Sequence, residues 1–268
     1  MVQRATDPVY LAEQYSSSER LRIRAETHRL YSVWDGEHDD PFELRLLKNL
    51  RLAPGLSVLD VGCGPGTFHR ALHGHGVTSI VGLDRSLGML REASIGRYAQ
   101  ADAQALPLPD ASFDGVMANH MLFHVPDIPL ALREMRRVAR PGGRVVLTTN
   151  GADFMERLHE VHVEACQALG YEADETSVAE RFTLDHLDLV RSVFRTAERQ
   201  VLSGALVFPS AEAALRYYAS GPIDRVIDAP PEAHGRLLAA VGNRIRAIVE
   251  REGDFRVAKS VGWFVADV

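Results

Sequence analysis

Cysteine is scarce in this chain of 268 residues, and long apolar runs are absent. The two cysteines, Cys63 and Cys166, lie far apart, which argues against a disulfide framework and favours a reducing compartment. No window approaches the roughly 18 apolar residues that a membrane span requires. No spacing of histidine and cysteine matches a metal site. We therefore expect neither a membrane protein, nor a disulfide-bonded secreted domain, nor a metalloprotein.

Positive charge is not in excess either. The formal net charge is −6 and the pI is near 6.0, whereas a dedicated nucleic-acid-binding protein usually carries a basic face. The first residues contain no apolar segment of the kind found in secretory signals. Hydrophobic residues make up 46% of the chain and charged residues 25%, as in an ordinary globular enzyme. We expect a cytoplasmic monomer or homodimer that binds neither nucleic acid nor membrane.

Strands and helices alternate over residues 56–150. Predicted strands cover 56–61, 79–84, 97–101, 113–119 and 144–149. Predicted helices cover 67–75, 86–94 and 127–140, and the Pro-Gly-Gly of 141–143 ends the last one. Such alternation indicates crossover units and a parallel sheet. The expected fold is α/β, Rossmann-like and doubly wound, with a mostly parallel seven-stranded sheet, helices on both faces and added helical cap segments.

Further elements flank this alternation. Helical patterns cover the first 50 residues and then 151–170, 182–197, 210–219 and 233–251. Residues 197–208 and 254–268 are strand-like. The predicted organisation is a helical N-terminal lid over 1–50, a ligand-binding core over 51–150, and the remainder of the sheet with helical insertions over 151–268.

The stretch VLDVGCGPG joins a predicted strand to a helix through Gly62, Gly64 and Gly66. Ligands of doubly wound sheets bind beyond the carboxyl ends of the strands, where such turns lie. A dinucleotide fingerprint would place its third glycine at position 67, where this chain has Thr67. Asp60, at the end of the strand, would repel a pyrophosphate and attract an ammonium group. A nicotinamide-dependent oxidoreductase is therefore disfavoured.

Two further acids follow the next predicted strands. Asp84 ends the second strand, where a carboxylate can accept both hydrogen bonds from a ribose diol. Asp102 follows the third strand and can accept a hydrogen bond from the exocyclic amine of an adenine. An amino-acid end, a ribose and an adenine occur together in S-adenosylmethionine.

Four segments, taken in order, resemble the class I S-adenosylmethionine-dependent methyltransferases, and most closely their type 11 small-molecule group. They are VLDVGCGPG, VGLDRS, ADAQALPLPDASFDGVMANHMLFHVPD and EMRRVARPGGRVVLTTN. The resemblance covers residues 56–150. It implies an enzyme that uses S-adenosylmethionine to methylate O, N or C of a small organic acceptor by in-line displacement. The core 51–150 would then bind the cofactor, and the insertions of 151–268 would form the acceptor pocket.

The resemblance also implies a set of cofactor-binding residues. Those near the methionine end are Asp60, Gly62, Gly64, Gly66 and Asn119. Those near the ribose and adenine are Asp84, Arg85, Met89, Asp102 and Ala103. In similar methyltransferases an N-terminal helix folds over the cofactor, so an arginine or tyrosine of 20–31 would reach its carboxylate, with Arg24 and Tyr31 as the candidates.

Two histidines follow the fourth predicted strand, where the sheet opens onto the site. A hydroxyl or acidic carbon acceptor gains from a general base, whereas an amine need only be unprotonated. His120 and His124 are the candidate catalytic residues, and a structural histidine is the alternative for each. Asn150, His159 and His162 are expected near the acceptor without assigned roles.

Two other functions stay open. A nucleic-acid methyltransferase would need a basic surface, and the arginines at 133, 136, 137 and 140 are expected on the solvated face of a crossover helix. The fourth strand also ends in ANHM and not in an NPPY-like motif. The second alternative is a protein that keeps the cofactor without methylating. No residue pattern identifies the acceptor.

Overall fold

The computed structural model describes residues 4–36, 42–51, 53–174, 178–230 and 232–268. Its strands are β1 (Ser32–Trp34), β2 (Ser57–Val61), β3 (Ser79–Asp84), β4 (Arg97–Gln100), β5 (Phe113–Asn119), β6 (Ala139–Asn150), β7 (Glu198–Phe208) and β8 (Phe255–Asp267). They form one sheet in the order β1-β7-β8-β6-β5-β2-β3-β4. Pairing is parallel from β6 through β5, β2 and β3 to β4, and antiparallel among β6, β8, β7 and β1.

Ten α-helices flank the sheet in the described part of the chain. They are α1 (Pro8–Gln14), α2 (Glu19–Tyr31), α3 (Phe42–Asn49), α4 (His69–Gly74), α5 (Leu87–Leu90), α6 (Ile128–Val138), α7 (Glu156–Leu169), α8 (Leu187–Val193), α9 (Ala211–Tyr218) and α10 (Ala233–Glu252). Short 3-10 turns lie at Arg4–Thr6, Leu122–His124, Val178–Arg181 and Pro222–Asp224. None of the helices within these described ranges is long and apolar enough to cross a membrane.

The order of the sheet reverses at β2. From this strand the chain continues to β3 on one side, whereas β5 lies on the other. Val61, the last residue of β2, is level with Leu83 of β3 and Ala118 of β5. The residues that follow these three strands therefore start side by side, in the position where ligands of doubly wound sheets bind.

Apolar burial on both faces fixes this arrangement. Val58 and Leu59 of β2 and Val116 of β5 are fully buried, as expected for parallel strands covered by helices on both sides. Helix α6 buries the predicted stripe of Ile128, Leu132, Met135 and Val138, and each such side chain contributes about 1.5–3 kcal/mol. Asp127 caps this helix by accepting a hydrogen bond from the Leu130 amide.

A second apolar cluster lies under the C-terminal helices. Side chains of α7, α9 and α10 pack against the ends of β7 and β8 around Leu206, Phe208, Tyr218, Ile245 and Phe255. These helices therefore extend the fold beyond the carboxyl edge of the parallel strands, on the side where the sheet becomes antiparallel.

The sequence prediction of seven strands was wrong by one. Residues 32–34 form the short edge strand β1, which pairs with Gly204–Leu206 of β7, where a helical pattern was expected. Three residues are too few to show a period of two, so tertiary pairing decides their conformation. Predicted helix 182–197 is also shorter, with α8 covering only Leu187–Val193.

Candidate functional site

The glycine turn after β2 has a backbone that only glycine adopts readily. Gly62, Gly64 and Gly66 have φ angles of 69°, 54° and 74°, in the left-handed region. The amides of Gly62 and Cys63 both donate to the carbonyl of Leu83, which ties the turn to the end of β3. A Cβ at Gly62 would lie 2.6 Å from the Met121 side chain. The turn is therefore held close against the loop that follows β5.

Asp84 lies at the mouth of this turn. One carboxylate oxygen accepts from the Gly64 amide at 2.8 Å, and the other accepts from the Ser86 amide at 2.7 Å. Burial raises the pKa of this carboxyl, against the lowering effect of the backbone donors. Each oxygen retains a lone pair, so the carboxylate can also accept from a diol, as predicted.

The environment of Asp60 differs from the prediction, in which its carboxylate attracts an ammonium group. Its side chain is 1% exposed, with one oxygen 3.1 Å from His69 Nε2 and the other 3.4 Å from Asn119 Nδ2. Burial raises the pKa of the Asp60 carboxyl. Asp60 thus links β2, β5 and α4 beside the turn, and both of its oxygens already have partners. A direct role toward an ammonium group stays a prediction.

His69 is a buried residue of this region that the sequence analysis missed. Its Nδ1 lies 2.8 Å from both the Ile95 carbonyl and the Tyr98 hydroxyl, and its ring stacks on Tyr98 with centroids 5.3 Å apart. Burial alone would lower the pKa of His69, but Asp60 and the Ile95 carbonyl raise it. A signal was present, because His69 follows the last glycine of the turn, Gly66, by three residues.

The predicted adenine residues differ in exposure. Asp102 is exposed, and its Oδ1 accepts from the amide and the side chain of Gln104. Ala103 is buried next to it. Arg85 is exposed, whereas the Met89 side chain is 1% exposed and packs within the fold. Asp102 and the surface of Arg85 are therefore accessible to a ligand, and Met89 shapes the wall behind them.

The N-terminal helices α1 and α2 lie across the glycine turn and the end of β3. Leu21 of α2 approaches within 3.8 Å of the Cβ position of Gly64. The Ser86 hydroxyl donates to the Tyr15 carbonyl, and the Ser18 amide donates to Glu92. These contacts make α1 and α2 a cover over the turn, which we call the lid.

Arg24 follows Leu21 by one helical turn of α2. Its Nε donates to the Arg20 carbonyl, but its Nη2 is buried and has no hydrogen-bond partner among the described residues. A buried guanidinium N–H without a partner is costly unless a ligand satisfies it. The carboxylate of S-adenosylmethionine is an acceptor that suits this donor. The turn below offers backbone amides and acidic side chains to the rest of the same cofactor.

The structure does not bring every predicted residue to this place. Tyr31 packs its ring against Phe208, with centroids 5.5 Å apart, in the C-terminal cluster. Arg20 forms an ion pair with Asp224 at 2.5 Å. Of the N-terminal candidates for the cofactor carboxylate, only Arg24 has an unpaired donor in the described part of the chain.

The two candidate catalytic histidines have different surroundings. His124 has both ring nitrogens engaged, with Nδ1 2.9 Å from the Ala5 carbonyl and Nε2 2.7 Å from the Tyr15 hydroxyl. It fastens the lid to the loop after β5. His120 has a φ of 50°, a strained conformation for a non-glycine residue. Burial lowers the pKa of each to about 4, so both imidazoles are neutral at physiological pH.

Lys259 of β8 is a further functional candidate that sequence reasoning missed. Its side chain is 2% exposed, and Nζ lies 3.2 Å from His28 Nδ1 and 3.9 Å from the ring centroid of Trp34. It also lies near His120, whose pKa it helps to lower. A signal was available, since Lys259 is the only polar residue at alternate positions from Phe255 to Val265 of β8.

The other pocket candidates, His162, His159 and Asn150, have different surroundings. His162 is 1% exposed, and its two nitrogens lie 2.7 Å from the Tyr218 hydroxyl and 2.8 Å from the Arg225 carbonyl. His159 stacks near it. Asn150 ends β6, and its carbonyl accepts from the Leu184 amide. Within the described ranges, no group of three metal-ligating side chains occurs.

Comparisons with known proteins agree with this geometry. Residues 59–147 match the family described as methyltransferase domain. The chain is 43% identical over 108 residues to malonyl-[acyl-carrier protein] O-methyltransferase of Pseudescherichia vulneris, covering 39% of this chain and 43% of the relative. It is 30% identical over 214 residues to an uncharacterized 37.1 kDa protein in transposon TN4556 of Streptomyces fradiae, covering 66% and 61%.

A solved structure matches the whole chain in fold. Phospholethanolamine N-methyltransferase 2 of Haemonchus contortus, in complex with phosphomonomethylethanolamine and S-adenosylhomocysteine, superposes with a TM-score of 0.57 at 17% identity. The match covers 100% of this chain and 60% of that one. Residues 59–147 are therefore a methyltransferase domain, in agreement with the resemblance to the type 11 group of class I S-adenosylmethionine-dependent methyltransferases.

Proposed function

We propose that the protein transfers the methyl group of S-adenosylmethionine to O, N or C of a small organic acceptor by in-line displacement. The observation that carries this proposal is the unpaired, buried guanidinium nitrogen of Arg24 in a lid that lies over the glycine turn and Asp84. A carboxylate for Arg24 and a diol for Asp84 are both present in this cofactor.

The residues of the core would bind and orient the cofactor. The backbone of Gly62 and Gly64 allows close approach of the methionine end, Asp84 accepts from the ribose, and Asp102 lies exposed for the adenine amine. When bound, the cofactor supplies an electrophilic methyl group on a positively charged sulfur, which is already a good leaving group. The chain therefore needs chiefly to align the acceptor and exclude water.

The lid and the C-terminal helices would form the acceptor side. Residues 1–50 would close over the cofactor, and 151–268 would surround the acceptor near His28, His120 and Lys259. We also propose that the protein is a cytoplasmic monomer or homodimer and that its acceptor is a small molecule. The name of the O-methyltransferase relative supports a small acceptor group, although the chain spans less than half the length of that relative.

A nucleic-acid methyltransferase is less well supported. Three of the four clustered arginines bind to the protein itself: Arg136 donates to the Val193 carbonyl, Arg137 pairs with Glu134, and Arg140 pairs with Asp114. Arg136 joins α6 to α8, whereas Arg140 lies on β6 and joins it to β5, so these arginines do not form a free basic stripe on one helix. A cofactor-binding protein that no longer methylates is the other alternative, and it shares every contact described for the cofactor.

Calorimetric titration with S-adenosylhomocysteine tests the proposal. We expect one site per chain, because the turn, Asp84 and Arg24 form a single set. Absence of heat up to about 1 mM ligand, which corresponds to less than about 4 kcal/mol of binding free energy, would overturn it. Binding of the cofactor without methylation of any acceptor in a hydroxyl, amine and acidic-carbon panel would favour the non-methylating alternative.

A further inference from the structure

Lys259 occupies an unusual position for a lysine. On β8 the alternate residues Phe255, Val257, Val261 and Trp263 are buried in the apolar clusters on either side of it. Gly204 of β7 pairs with both Lys259 and Trp34 from its two sides, so no side chain separates the ammonium from the indole ring. A long cationic side chain thus crosses the sheet surface at the junction of two apolar clusters.

The groups around Lys259 do not neutralise it. Its Nζ donates to the Ser32 hydroxyl and lies 3.2 Å from His28 Nδ1. Across the described ranges, no carboxylate lies within 4.0 Å of it. A buried cation normally has an anionic partner, because an uncompensated charge in an apolar place is costly. An anionic ligand can therefore supply the partner that Lys259 lacks.

Aromatic rings surround the same space. His28 stacks on Phe154 with centroids 5.9 Å apart and meets Tyr217 edge-on at 5.8 Å. Trp34 lies under Lys259, and His120 enters from the end of β5 with Phe42 beside it. The lid, β1, β5 and β8 therefore place aromatic rings and two neutral imidazoles around the amine of Lys259.

We propose that Lys259 holds the reacting oxygen of the acceptor, so that the substrate class is a compound with an acidic hydroxyl, a carboxylic acid, enol or phenol, bound as its anion. This inference rests on the proposed methyl transfer and narrows its O, N or C acceptor to oxygen. His28 faces Lys259 from the lid and His120 faces it from the end of β5, and both imidazoles stay neutral. Arg24 lies beyond His28.

The proton and electron balance of the step is simple. A phenol or enol O–H passes its proton to the neutral amine of Lys259, leaving an oxygen anion beside an ammonium, whereas a carboxylic acid arrives already ionised. With the cofactor bound, an oxygen lone pair forms the O–CH3 bond while the S–CH3 bond breaks and its electron pair stays on sulfur. The ammonium afterwards returns its proton to solvent. Burial lowers the pKa of Lys259 to about 7, which suits both forms.

The experiment uses benzoate and benzylamine, two probes of similar size and opposite charge, titrated into the protein saturated with S-adenosylhomocysteine. We expect benzoate to bind and benzylamine to bind at least about 10-fold more weakly. Lys259→Met should weaken benzoate at least about 10-fold, as expected when a charged hydrogen-bond partner is removed. The affinity for S-adenosylhomocysteine should change less than about 2-fold, since Met fills the same volume.

A lysine-specific NMR measurement separates binding from a structural effect. The chain has two lysines, Lys48 and Lys259, so protein labelled at the lysine ε-carbon gives two signals, and Lys48→Met assigns them. We expect the Lys259 signal to titrate near pH 7 and to titrate at higher pH when benzoate is bound. Benzoate affinity should also fall about 10-fold for each pH unit above 7.

Several results would overturn the inference. They are equal benzoate affinity in wild type and Lys259→Met, stronger binding of benzylamine, no binding of benzoate by wild type, or a Lys259 signal that benzoate does not shift. Failure of the proposed function is a distinct result, namely no binding of S-adenosylhomocysteine. In that case the benzoate and benzylamine titrations and the NMR spectra, recorded without S-adenosylhomocysteine, decide the Lys259 assignment independently.

Discussion

Asp84 connects the two halves of the cofactor site through one carboxylate. It accepts from the Gly64 amide in the glycine turn and from the Ser86 amide at the start of α5. Asp84→Asn keeps the volume but places an NH2 group against one of these donors. We expect S-adenosylhomocysteine to bind about 10- to 100-fold more weakly, the loss typical of a charge-assisted hydrogen bond.

Calorimetry on Asp84→Asn and on Asp185→Asn checks this expectation. Asp185 is exposed and pairs at the surface with Arg199, so its substitution should leave the affinity unchanged within about 2-fold. Unchanged affinity in Asp84→Asn would mean that the ribose binds elsewhere.

Arg24 can be tested by a ligand that lacks the group it is proposed to bind. 5′-Methylthioadenosine keeps the adenine, ribose and sulfur of S-adenosylhomocysteine but has no amino-acid end. Arg24→Met should weaken S-adenosylhomocysteine about 10- to 100-fold, because one charged donor to the carboxylate is lost. The affinity for methylthioadenosine should stay within about 2-fold of wild type. An equal loss for both ligands would show that Arg24 acts only by holding the lid.

Residues near the glycine turn could be predicted because their backbone conformation and order are encoded locally. Gly62, Gly64 and Asp84 are in the places that the sequence indicated. His69 and Lys259 were missed for a different reason. Their partners Asp60, Tyr98 and Trp34 come from other strands, and only the folded sheet brings them within reach.

The side chain of Asp224 joins both helices of the lid to the C-terminal half of the chain. Asp224 accepts hydrogen bonds from Gln14 of α1 and Arg20 of α2, and lies 3.3 Å from His234 of α10. Asp224→Ala leaves these donors without their common acceptor. We expect a loss of about 1–3 kcal/mol in lid docking, seen as faster hydrogen exchange of residues 8–31 and weaker binding of S-adenosylhomocysteine.

Glu26→Ala is the matched control for the lid. Glu26 also links α2 to the C-terminal half, through Arg216 of α9, but both partners are well exposed, at 37% and 54%. Such a pair contributes about 0–1 kcal/mol, so exchange in 8–31 should stay close to wild type. Equal acceleration in both variants would contradict the assignment of Asp224 as the lid anchor.

Elements with long, regular patterns were predicted well, and short ones were not. Helix α6 (Ile128–Val138) lies within the predicted range 127–140, although it ends before the Pro-Gly-Gly of 141–143, which belongs to β6. Strand β1 and helices α5 and α8 are too short for periodicity to define. Strand β1 forms by pairing with β7 and helix α8 by packing on α6, which are contacts between distant parts of the chain, whereas α5 begins at the local Ser86 cap.

At the scale of the whole molecule, polar groups concentrate where the lid meets the sheet. His28, His120, His124 and Lys259 are all held in forms without charge or with a weakened preference for charge. Burial disfavours the charged form of each of these groups. The same groups make stability depend on pH.

Two pH windows follow from these shifts. Burial lowers the pKa of His28 to about 3 and those of His120 and His124 to about 4, from 6.5. Their stabilising effect is complete above pH 6.5 and is lost as the pH falls toward 4, because the unfolded chain binds the protons. His159, with a pKa lowered to about 4, and His162, with a lowered pKa, act in the same direction, whereas the raised pKa of His69 acts above pH 6.5. Each of the lowered histidines contributes up to about 1.4 kcal/mol per pH unit, so we expect stability to fall as the pH drops from 6.5 toward 4.

Lys259 defines the second pH window, and the Lys259→Met substitution distinguishes this window from that of the histidines. Burial lowers the pKa of Lys259 to about 7 in the folded protein, below the ordinary value of 10.5, so its contribution to stability is lost as the pH falls through this interval. Urea unfolding between about pH 7 and 9 should show stability rising with pH by up to about 1.4 kcal/mol per unit. Lys259→Met should abolish that rise and keep the fall below pH 6.5. A variant that keeps both slopes would show that the buried amine is protonated in the native protein throughout, and that another group titrates between pH 7 and 9.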